Sequence, residues 1–98
     1  MLENLSRDDF AKHLGPGFQI WISPTEKVEL ELVEVTEGRE RPPQETYSLV
    51  FLAPAATPPI AQIYRLEHDQ LGEFEIFLSP FEADDNRVKF EASFSRLI

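Results

Sequence analysis

No cysteine occurs in the chain. Disulfides, thiolate metal sites and cysteine nucleophiles are therefore all excluded. Glycine is scarce, with four among 98 residues. They assemble neither a G-x-x-x-x-G-K phosphate loop nor a G-x-G-x-x-G dinucleotide turn. Basic side chains are in deficit: nine Lys and Arg stand against 18 Asp and Glu, a formal net charge of −9. A nucleic-acid backbone repels such a surface, and no Lys/Arg cluster offsets the repulsion. Anionic membrane surfaces are disfavoured for the same reason. Long apolar runs are missing too, none approaching the roughly 20 residues of a membrane-spanning helix. The opening residues Met1–Asp9 carry neither a basic n-region nor an apolar h-region, so a secretory signal peptide is not expected. That reading favours the cytoplasm and is compatible with export by another route.

What is present suffices for a core. Hydrophobic residues make up 42% of the chain and aromatics 11%. A chain of this length fits one domain, spanning 1–98, and buries roughly two-thirds of the surface its unfolded form exposes. Ser6-Arg7-Asp8-Asp9 reads as a helix start: Ser6 caps, and the two aspartates place negative charge in the first turn. The resulting helix, about 6–14, aligns Leu5, Phe10 and Leu14, and Gly15-Pro16-Gly17 ends it.

From about residue 18 to 96 the period changes to two. Phe18, Ile20 and Ile22 share one strand face. After a turn at Ser23–Glu26, Val28, Leu30 and Leu32 alternate with Glu29 and Glu31. The alternation slips at Leu32-Val33 and resumes with Val33 and Val35, as a β-bulge or bend produces. Residues 37–45, polar and holding Pro42-Pro43, read as a loop. Tyr47–Leu52 is apolar on both faces, the mark of a central strand. A proline-rich loop follows at Pro54–Pro59. Ile60–His68 and Glu73–Ser79 flank the tight turn Asp69-Gln70-Leu71-Gly72 and form a hairpin. Phe81–Asn86 reads as a connection. The final strand turns Val88, Phe90, Ala92 and Phe94 inward and Lys89, Glu91, Ser93 and Ser95 outward. About six strands without crossover helices predict a mostly β fold, a small antiparallel β-sandwich or barrel with one short N-terminal helix.

Candidate chemistry is thin. His13 and His68 lie far apart in sequence and outside any metal-ligand spacing. Asp84-Asp85-Asn86 lacks the alternation and distal glutamate of a calcium loop and suits a turn. Glu29, Glu31, Glu34, Glu73 and Glu75 occupy outward strand positions, a solvated face that also discourages edge pairing. The serines sit in no G-x-S-x-G or S-x-x-K context. No catalytic, cofactor or metal site is expected, and the domain reads as non-enzymatic. Trp21, Phe77 and Phe81 carry the most information, because each falls out of phase with the inward set of its strand. They form a candidate contact surface, or else cover a second core beneath the helix or long loops.

At Leu2–Phe10, and again at Tyr64–His68 followed by Leu71-Gly72, the chain resembles a family of short bacterial proteins catalogued as a domain of unknown function. Phe77–Pro80 and Phe90–Phe94 extend the likeness over nearly the whole chain. The resemblance brings no catalytic residues with it and implies an association with phage-tail-like collar proteins. Together these readings favour a protein-binding or assembly module whose partner is another protein or a second copy, with neither nucleic acid nor membrane involved. The alternative is a small-ligand carrier with a pocket lined by Phe51, Tyr64, Phe74 and Phe90, which requires an apolar cavity of roughly 300 Å³ or more.

Overall fold

The computed structural model describes residues 7–41 and 44–97, with side chains over 7–36 and 46–94. Ser6, Leu5 and the Pro42-Pro43 pair, to which the sequence assigned a cap, part of an apolar stripe and a loop centre, lie outside the described residues, as does the Ser95 side chain. One short helix, α1 (Arg7–Ala11), precedes six strands: β1 (Gly15–Ser23), β2 (Glu26–Arg41), β3 (Gln44–Pro54), β4 (Gln62–His68), β5 (Gly72–Ala83) and β6 (Arg87–Leu97). The strands close into an antiparallel barrel in the cyclic order β1-β2-β3-β6-β5-β4. The expected mostly β fold is therefore a barrel rather than a sandwich.

Period-two patterning supplies the inward faces. Phe18 and Ile20 of β1, Leu30 and Leu32 of β2, and Leu49 and Phe51 of β3 are all buried. So are Tyr64 and Leu66 of β4, Phe74, Ile76 and Leu78 of β5, and Val88, Phe90 and Ala92 of β6. Rings interlock across this interior, with Phe18 edge-on to Phe51 at 5.3 Å and Tyr64 edge-on to Phe90 at 5.9 Å between centroids. Phe94, placed inward by the pattern, is only partly buried and packs on the rim of the core.

Both ends of the barrel are closed. At one, α1 inserts Phe10, whose ring centroid lies 6.0 Å from Phe74, 6.0 Å from Phe94 and 6.3 Å from Tyr47. At the other, the chain between β3 and β4 crosses to the far side of the barrel, since these strands are not neighbours. Its Thr57 is buried. The Thr57 N–H bonds the Pro54 carbonyl at 2.9 Å, and the Tyr64 hydroxyl donates to the Ile60 carbonyl at 2.6 Å.

Several local expectations need correction. The strand expected from Ile60 begins at Gln62. The helix ends at Ala11, not near residue 14. Leu14 therefore leaves the apolar stripe and is 54% exposed. Gly15 and Gly17, expected as a break, belong to β1 and hold φ of 116° and 118°, in the region that favours glycine. Residues 37–41 and 44–45 continue the β2–β3 ladder through Glu37↔Tyr47, Glu40↔Glu45 and Arg41↔Gln44. This stretch is polar in sequence, so the backbone pairing continues where no apolar alternation advertises a strand. Lastly, β5 runs on to Ala83 past Pro80, beyond the β4 ladder that ends at Leu78. Of the bulge or bend expected at Leu32-Val33, a bulge is present: the β2–β3 register shifts between Leu32 and Glu34, Val33 is exposed and does not share the face of Val35, and Val35 returns to the interior side opposite Leu49.

Candidate functional site

Outward positions alternate with the core, and on most strands they carry charge or hydroxyls. The β4–β5 pair departs from this. Ile63 and Phe77 are register partners across the pair. Both point away from the core, and they are 64% and 55% exposed. Phe81 is the extra residue at the β5–β6 register shift between Pro80 and Glu82, and is 54% exposed. Just before β4, Ile60 is half exposed as well. Monomeric domains seldom leave neighbouring large apolar side chains in water without use. Ile63 was legible in the sequence by the argument that singled out Phe77: it is out of phase with Tyr64 and Leu66.

Arg65 follows Ile63 on the same outer face and joins this patch to Trp21. The Trp21 indole N–H donates to Glu67 Oε2 at 2.8 Å, and Lys27 Nζ bonds Glu67 Oε1 at 3.2 Å. Lys27 and Arg65, from the two strands flanking β1, each place a cation 5.1 Å from the indole centroid. Arg65 also reaches Glu73 Oε1 at 3.1 Å. The indole N–H, with Lys27 and Arg65, holds the Glu67 carboxyl down to about 2. Trp21 is thus half-buried on the barrel exterior beneath two cations, not under the helix.

A family described as a domain of unknown function, DUF6916, matches residues 5–94. The chain belongs to this family. No curated protein and no solved structure matches it. In this DUF6916 domain the site must accordingly be read from its own side chains.

The fold unites the two histidines that the sequence kept apart. The rings of His13 and His68 lie 4.7 Å apart, and His68 also packs on Phe18 at 4.5 Å. Its Nδ1 accepts the backbone N–H groups of Gln70 and Leu71, at 3.1 and 3.3 Å, which shapes the β4–β5 turn. Gly17 lies against the ring, where a Cβ would meet His68 Nε2 at an ordinary 3.6 Å, so its positive φ and not lack of space is what favours glycine there. Burial, reinforced by His13 and opposed by Asp69, pushes the His68 pKa below its ordinary value. Beside it opens a polar cleft of about 350 Å³ whose walls include Glu29, Glu67, Asp69 and Glu73. Among the described residues no group of three or more His, Asp or Glu is arranged to hold a metal ion.

Asp84-Asp85-Asn86 forms the turn its composition suggests. Asp84 Oδ1 accepts the N–H groups of Asn86 and Arg87 at 2.7 and 3.0 Å, and these bonds lower its pKa. Glu29, Glu31, Glu34, Glu73 and Glu75 are all exposed. Phe51, Tyr64, Phe74 and Phe90, the residues assigned to a carrier's pocket, are buried members of one packed cluster.

Proposed function

We propose that the domain is a non-enzymatic protein-binding or assembly module, and that its contact surface is the outer face of β4 and β5. The observation that carries this reading is the exposed Ile63–Phe77 pair. Cross-strand apolar pairs stabilise a sheet when they are covered, but this one faces water on a barrel whose core is already filled by other side chains. Phe81 extends the surface beyond the bulge, and Trp21 bounds it past Arg65. Phe77 is the better anchor of the aromatics. The Trp21 indole is already engaged by Glu67, Lys27 and Arg65, whereas Phe77 offers an open ring to a partner. Aromatic side chains are enriched in interface cores and often dominate binding energy.

A narrower form of the proposal, an accessory of a phage-tail-like assembly, draws its support from the sequence resemblance at Leu2–Phe10, Tyr64–His68 and Leu71-Gly72. The test of the broader form is a selection of displayed random peptides against the wild-type domain, repeated with Phe77→Ser combined with Ile63→Ser. Both positions are exposed, so the variant is expected to fold, as circular dichroism would verify. The wild type should enrich specific sequences that the variant no longer captures. Equal capture by a folded variant would place the contact surface elsewhere.

A further inference from the structure

We infer that the partner of the β4–β5 face is a short cationic segment of another protein, in which apolar side chains are interspersed with Lys or Arg. The inference rests on the contact-surface reading above and adds the chemistry of the occupant. It follows from which charges around the patch are already committed. The basic side chains that border it are engaged within the domain. Arg65 bonds Glu67 at 3.4 Å and Glu73 at 3.1 Å, and Lys89 bonds Glu82 at 3.6 Å. The carboxylates that flank Phe77 are not. Glu75, two residues before it on β5, stands opposite Arg65, which turns to Glu67 and Glu73 instead; Glu75 and Glu91, the latter opposite Ser79 on β6, make no side-chain ion pair or hydrogen bond among the described residues. The patch therefore presents an apolar centre whose rim holds more carboxylates (Glu67, Glu73, Glu75, Glu82, Glu91) than cations (Arg65, Lys89), and a cationic rim on the occupant matches that excess.

The same charges disfavour a second copy. Each copy carries a formal net charge of −9. A two-fold contact through this face would bring the unpaired carboxylates of both copies into one interface, where like charges are penalised. The patch is also small. Ile63, Phe77, Phe81 and Ile60 fall well short of the roughly 20–30 residues a side that a standard protein interface engages, and a short segment suits that size.

The test uses the full chain and three synthetic peptides: one alternating Lys with Phe and Leu, its counterpart with Glu in place of Lys, and its counterpart with Ser in place of the apolar residues. Affinity is read by fluorescence anisotropy at low and high salt. Only the first peptide should bind, and its affinity should fall as salt rises. Glu75→Gln and Glu91→Gln should each weaken it about two- to five-fold, and Phe77→Ser about tenfold or more. If the Glu peptide binds as well, or the two Gln variants and salt change nothing while Phe77→Ser still abolishes binding, the cationic partner is wrong and the contact surface stands. If Phe77→Ser leaves binding of the Lys peptide intact, the contact surface itself fails. A concentration-dependent dimer in sedimentation velocity that Phe77→Ser dissolves would replace the foreign segment with a second copy.

Discussion

Phe10→Ala probes the link between a five-residue helix and the barrel it closes. A helix that short is not stable alone in water, where about 12–15 residues are marginal, so α1 exists because Phe10 is buried among Phe74, Phe94 and Tyr47. Truncation removes a fully buried ring from a packed end and leaves a cavity that the flanking strands can only partly fill. Phe→Ala changes of this kind cost about 3–5 kcal/mol, against a total stability of about 5–15 kcal/mol for a domain of this size. At about 4–8 °C per kcal/mol, the melting temperature should fall by at least about 12 °C. Equilibrium urea denaturation measures the loss. Leu14→Ala is the matched control: Leu14 lies past the helix and is 54% exposed, so its truncation should stay within about 0.5 kcal/mol. A Phe10→Ala variant as stable as that control would show that the helix does not close the barrel.

Three further outcomes are expected. Phe90→Ala, which empties the centre of β6 opposite Phe51 and against the Tyr64 ring, should also cost about 3–5 kcal/mol; a melting point near wild type would mean the face of β6 is misassigned. Because the His68 pKa is lowered in the fold, the unfolded chain takes up that proton more readily. The stabilising contribution of neutral His68 is therefore complete above the ordinary value of 6.5 and is lost as pH falls from there towards the folded pKa. Denaturation midpoints should drop through that window in the wild type and less in His68→Gln; parallel profiles would refute the assignment. Trp21→Phe should keep the fold while the Glu67 pKa, followed by NMR, climbs from about 2 towards its ordinary 4.5, because the indole N–H is the largest of its stabilisers; an unmoved Glu67 would contradict that ranking.

The sequence carried much of this architecture because one side of each strand faces a single interior. Val88, Phe90 and Ala92 alternate without interruption, and the slip at Leu32-Val33 is a bulge because inward Leu32 and inward Val35 are separated by an extra residue. Cyclic strand order was not legible: alternation fixes which side is buried and is silent on which strands are neighbours, so the crossing between β3 and β4 left no signature. The outer reach of the β2–β3 hairpin was also hidden, since residues 37–45 are polar in sequence and carry no apolar alternation to mark a strand. At the candidate surface, Phe77 and Phe81 showed themselves by phase. The grip of Lys27, Arg65 and Glu67 on Trp21, and the meeting of His13 with His68, depend on barrel closure, which brings distant segments together without marking either one.

The central claim is that the outer face of β4 and β5 receives a cationic, partly apolar segment. The measurement that tests it most directly is an NMR titration of the domain with the alternating Lys/Phe/Leu peptide, with amide shift changes mapped residue by residue. The acidic cleft beside His68 offers the same peptide a purely electrostatic alternative. The account predicts shifts centred on Ile63, Glu75, Phe77 and Glu91. Shifts centred instead on Glu29, Asp69 and Glu73, with Ile63 and Phe77 unmoved, would contradict it.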